Sequence, residues 1–66
     1  MEFKVNDRVR HKQTGEFGII KAYSIRMKMW VVEFDYPGGI KHDCMGLTSE
    51  NRGFWVKQEN LELINN

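Results

Sequence analysis

Sixty-six residues and 7.8 kDa set the size of one small domain, so residues 1–66 are expected to fold as a single unit. Hydrophobic residues make up 41% of the chain and charged ones 29%. That balance supports one core but no large enclosed cavity for substrate and cofactor, which sets most enzyme classes aside. The net charge of +1 hides a split, with seven basic and three acidic side chains in residues 1–30 against three and six in residues 31–66. The whole chain lacks the strong basic excess of a nucleic-acid binder, while its first half can still build a basic face.

In chain order, residues 7–11 alternate around Val9 and read as a first strand. Thr14-Gly15-Glu16-Phe17-Gly18 is a turn signal, because glycine reaches backbone angles that other residues avoid. Residues 19–23 form a second strand, residues 24–28 a connection, and residues 29–34 the third and strongest strand by β-propensity. Tyr36-Pro37-Gly38-Gly39 breaks the ladder and opens a long loop that runs to Gly53. Residues 54–57 read as a fourth strand, Gln58-Glu59-Asn60 as a tight turn, and residues 61–64 as a fifth strand.

Five short strands are too few for two full sheets, but they suffice for a small bent barrel without exposed edges. The expected fold is therefore all-β, a five-stranded SH3-like small barrel with a long loop between strands three and four. Alternation assigns Val9, Ile20, Ala22, Trp30, Val32, Phe34, Val56, Leu61 and Leu63 to its core.

The run from Phe3 to His11, then Thr14 to Ile20, then Val32-Glu33-Phe34-Asp35, resembles the opening of several SH3-like barrels. It is similar to the KOW motif of ribosomal and transcription-elongation proteins. It also resembles the Tudor-like C-terminal domain of UvrD-type repair helicases and the RNA-polymerase-interacting domain of CarD-type regulators. Those families share a G-D-x-V-x-H/Y, G-x-G-x-V/I, V-x-F frame, here over residues 3–35. The chain departs from it at Asn6, where glycine is usual, and at Phe17 between the paired glycines. The second half, with His42-Asp43, Gly46, Gly53-Phe54-Trp55-Val56 and Glu59-Asn60-Leu61-Glu62-Leu63, is similar to small uncharacterised bacterial and phage proteins. The resemblance implies docking on a larger machine such as RNA polymerase or other transcription or repair machinery.

Chemistry-bearing groups are sparse. Structural zinc takes paired Cys and His ligands, and the chain offers one Cys and two His, so no metal site and no cofactor are expected. In His42-Asp43-Cys44 the thiol reads as a small buried hydrophobe rather than a nucleophile, and Asp43 and His42 as groups that bind the backbone of their own loop. No catalytic residue is assigned.

The surface carries more signal. With Trp30, Val32 and Phe34 inward, alternation turns Met27, Met29 and Val31 outward, joined by Ile19 and Tyr23 from strand two. Arg26 and Lys28 frame them, giving an apolar centre with a charged rim, as at protein interfaces. The first expectation is thus a protein-binding module that uses this hairpin face. The alternative is a KOW-like nucleic-acid binder with Arg8, Arg10, Lys12, Lys28 and Trp55 as a basic-aromatic surface. The lone Cys44 and the absence of an apolar leader in residues 1–6 suit a reducing, cytoplasmic setting. No apolar run reaches the roughly eighteen residues of a membrane helix, so no membrane association is expected.

Overall fold

Runs of β-branched, aromatic and other apolar residues mark the segments that become strands, and the elements lie close to where the sequence pattern puts them. The computed structural model describes residues 3–64. Its elements are β1 (Arg8–His11), β2 (Phe17–Ser24), β3 (Met29–Phe34), β4 (Gly53–Val56), a single 3-10 turn (Gln58–Asn60) and β5 (Leu61–Leu63). All pairings are antiparallel, in the order β4-β3-β2-β1-β5.

The sheet curls round one core without closing into the expected barrel. Val9, Ile20, Trp30, Val32, Phe34, Val56 and Leu61, drawn from all five strands, share a single buried cluster. Val56 and Leu61 belong to opposite edge strands, so both edges bend toward the same interior. They are not hydrogen-bonded to one another. One reason is that the outward backbone groups of Gly53 in β4 are taken by His42 of the loop, at 2.8 and 2.6 Å. Phe3 plugs the interior, its ring edge-on to Trp30 with centroids 5.8 Å apart.

Alternation fails at one point in β2. Ile20 lies opposite Val32, but Ala22 rather than Lys21 lies opposite Val31, so Lys21 is the extra residue of a β-bulge. Beyond it the inward and outward sets exchange. Tyr23 lands opposite Trp30 and packs on the core with ring centroids 4.6 Å apart, while Ala22 moves to the outer face, half-exposed. Ala22 is thus not the core residue expected. Leu63 also departs from expectation: it pairs with Val9 but sits on an edge strand, and it is 37% exposed.

Two backbone positions explain residue choices in the frame. Asn6 takes φ +79, a conformation in which Asn is among the best-tolerated substitutes for glycine. Gly18 has no room for a side chain, since a Cβ there would lie 2.7 Å from both the Glu33 carbonyl oxygen and Val32 Cγ1. β2 and β3 approach closely because that position is bare.

Candidate functional site: the hairpin tip and the loop-end cavity

The β2–β3 turn is fixed by its own backbone. Ser24 accepts hydrogen bonds from the Lys28 amide through its carbonyl, at 2.7 Å, and from the Met27 amide through its hydroxyl, at 3.1 Å. Lys28 completes the turn in the left-handed region at φ +57. This geometry throws Ile25 and Met27 into solvent, 83% and 46% exposed, with Arg26 and Lys28 exposed beside them. Ile25 lies in the connection read over residues 24–28, and no face was assigned to it from sequence.

The broad apolar face expected on this hairpin contracts to that tip. Val31 points outward as alternation requires but is completely buried, being flanked in register by Ala22 of β2 and Trp55 of β4. Tyr23 is drawn to the core by the bulge. Ile19 is half-buried in register between Arg8 and Glu33, and Met29 is half-buried opposite Ser24. Of the seven residues expected to form the contact face, Arg26, Met27 and Lys28 remain exposed.

The basic set is dispersed by ion pairing. Arg8 donates two hydrogen bonds to the Asp35 carboxylate, at 2.7 and 2.5 Å. That hydrogen bonding holds the Asp35 carboxyl below the usual carboxylate range and raises the Arg8 guanidinium in turn. Arg10 pairs with Glu62 at 3.1 Å, and Lys41 with Glu16 at 2.7 Å. Arg8 and Arg10 of the basic half are thus paired with acids of the second half, while Lys41–Glu16 pairs the other way round. Lys12, Lys21, Arg26, Lys28 and Lys57 make no ion pair among the described residues. Trp55 lies half-buried on the outer face against Val31.

The His42-Asp43-Cys44 segment is held by its own loop, as expected. His42 Nδ1 accepts the Cys44 amide at 2.9 Å, and Asp43 Oδ1 accepts the Met45 amide at 3.1 Å. The Cys44 side chain is buried beneath Gly53, where a Cβ would lie 2.9 Å from Sγ and overlap Thr48 Oγ1. Burial pushes the thiol up from its ordinary value, and the nearby Asp43 charge adds to this. A thiol kept protonated under a loop is poorly placed to attack a substrate. Among the described residues, no three His, Cys, Asp or Glu side chains come together in a metal-binding arrangement.

At the other end of the sheet from the hairpin tip, a cavity of about 90 Å³ opens between the β1–β2 turn and the loop of residues 35–52. Phe34 and Phe54 contribute to its walls together with His11, Glu16 and Lys41. Sequence reasoning missed it because its residues come from separate segments with no shared motif. No protein-family model matches the chain, and neither a curated protein nor a solved structure matches it. No helix among the described residues is long and apolar enough to cross a membrane.

Proposed function

We propose that this chain is a non-enzymatic protein-docking module whose contact point is the tip of the β2–β3 hairpin. The observation that carries the reading is the exposure of Ile25 and Met27 on a hydrogen-bonded turn, framed by Arg26 and Lys28 with no ion pair among the described residues. A methionine and an isoleucine held in water represent apolar area that a partner can bury, and methionine adapts to the shape it meets. The flanking cations suit a partner with an apolar pocket and an acidic rim. In this reading the curled sheet is an SH3-like barrel left open at the β4–β5 seam. The partner is a larger assembly of the transcription or repair type, by fold-level analogy alone.

The nucleic-acid reading has less support. Arg8 and Arg10 are engaged by Asp35 and Glu62, so presenting them to phosphates would first break those pairs. The two readings separate on one pair of variants with the same capture assay. Ile25→Asp with Met27→Asp should abolish partner capture, while Lys12→Ala with Arg10→Ala should leave it within about twofold, as expected of charges outside a contact centre. Loss with the second pair and not the first, together with a steep decline in binding to single-stranded DNA as salt rises, would replace this proposal with the nucleic-acid one.

A further inference from the structure

The loop-end cavity is independent of the hairpin tip, being at the far end of the strands. Its volume of about 90 Å³ is too small for a cofactor, whose sites start at roughly 300 Å³. At about 30 Å³ per water-sized group it takes a body of about three or four carbons, the size of a valine or leucine side chain. The half-buried ring of Phe54 gives such a body an apolar surface, Ile40, exposed at the mouth, extends it, and the buried ring of Phe34 closes the floor.

The polar groups on the wall are mostly donors. His11 Nδ1 accepts the amides of Gln13 and Thr14, at 3.1 and 3.4 Å, which leaves Nε2–H as the ring's donor. Thr14 Oγ1 accepts the Glu16 amide at 3.2 Å, and its hydroxyl proton stays free to donate. Lys41 is only 11% exposed; it gives one of its three N–H groups to Glu16 Oε2 and lies 5.6 Å from the centroid of Phe34. No buried side-chain nitrogen or oxygen among the described residues lacks a partner, so the spare His11 donor faces accessible space. The one carboxylate on the wall, Glu16, is already neutralised by Lys41.

We propose that this cavity is a binding site for a short branched aliphatic carboxylate. The aliphatic part lies against Phe54 and Ile40 over the floor made by Phe34, and the carboxylate takes the donors of Lys41, Thr14 and His11. Two sources share this chemistry: a free small acid, and the C-terminal leucine or valine of another polypeptide.

Amide chemical shifts of Thr14, Glu16, Lys41 and Phe54 report the binding. The probes are isovalerate, N-acetyl-leucine, N-acetyl-leucinamide and isoamylamine. At the weak end of the range of binding free energy per non-hydrogen atom for bound ligands, the seven such atoms of isovalerate give a Kd of about 30 mM, so titration runs to about 50 mM. Saturable shifts with the two acids, and binding at least about fivefold weaker with the amide and the amine, are expected when one charge-assisted contact is lost. Tighter binding of N-acetyl-leucine than of isovalerate assigns the site to a chain terminus, and the reverse order assigns it to a free acid. Lys41→Met, which keeps the aliphatic stem, should cost the acids about tenfold and the amide little, while Glu16→Gln, which frees Lys41 and removes a like charge, should tighten acid binding and leave the amide unchanged. Amine binding equal to or tighter than acid binding, or no saturable shift with any probe on the wild-type chain, would overturn the proposal.

Discussion

Replacing Phe34 with alanine tests the inward face of the sheet. The ring is 2% exposed and stands in the core cluster, packed beside His11 at 6.3 Å and beneath the Lys41 ammonium. A buried phenylalanine removes roughly 150–250 Å² from water, which at about 25 cal/mol per Å² is about 4–6 kcal/mol as an upper estimate. The alanine methyl retains part of this, and the cavity left behind adds cost, so about 3–5 kcal/mol is expected. A chain of this length has a total stability of about 3–10 kcal/mol. Phe34→Ala should therefore lie at or beyond the edge of folding in water, with tryptophan fluorescence and near-ultraviolet circular dichroism already unfolded at low urea. Tyr36→Ala, at a 74% exposed position two residues on, should stay within about 0.5 kcal/mol of wild type. A Phe34→Ala protein with a native near-ultraviolet spectrum and a loss below about 1 kcal/mol would show the inner and outer faces exchanged, as a one-residue shift of register would produce.

Val31→Asp should unfold the chain, because it buries a charge at a fully enclosed outer-face position, while Met27→Asp should leave the urea midpoint unchanged. Asp35 has its carboxyl lowered by Arg8, so its contribution is present above the ordinary carboxylate range and fades as pH falls through the depressed value. Both partners are about a third exposed, so Asp35→Asn should cost less than about 1 kcal/mol at neutral pH and progressively less as pH falls below the ordinary carboxylate range, as read by urea titration at each pH. Cys44, raised by burial, should react with a thiol reagent at pH 8 only as fast as its loop opens, and at the rate of an unfolded peptide in denaturant; equal rates in both would refute the burial of Sγ beneath Gly53.

The strands were legible because short apolar runs, strongest in β2, β3 and β4, are separated by turn residues such as glycine and asparagine, and period two picks out most of the inward positions. The core followed from the same rule at Val9, Ile20, Trp30, Val32, Phe34, Val56 and Leu61. What escaped the rule depended on register and neighbours. The bulge at Lys21 has no glycine or other local marker, and it moved Ala22 out of the core and Tyr23 onto it. Val31 faces outward as expected, yet its burial comes from Trp55 on a strand more than twenty residues further along. Closure of the barrel was expected from strand count, but Gly53 gives its outward hydrogen bonds to His42 instead. The pairing of Arg8 with Asp35 and of Arg10 with Glu62 likewise joins residues distant in sequence, so charge counting did not reveal that these two members of the basic set are engaged.

Docking through the hairpin tip is tested most directly by a photo-reactive amino acid placed at position 25 and, in a second protein, at position 47. Both sites are exposed, and Leu47 belongs to the long loop at the opposite end of the strands. Illumination in cells that express the chain should give a discrete protein adduct from position 25 that Met27→Asp removes, and none from position 47. A discrete adduct from position 47 with none from position 25 would contradict the account and move the contact surface to the loop.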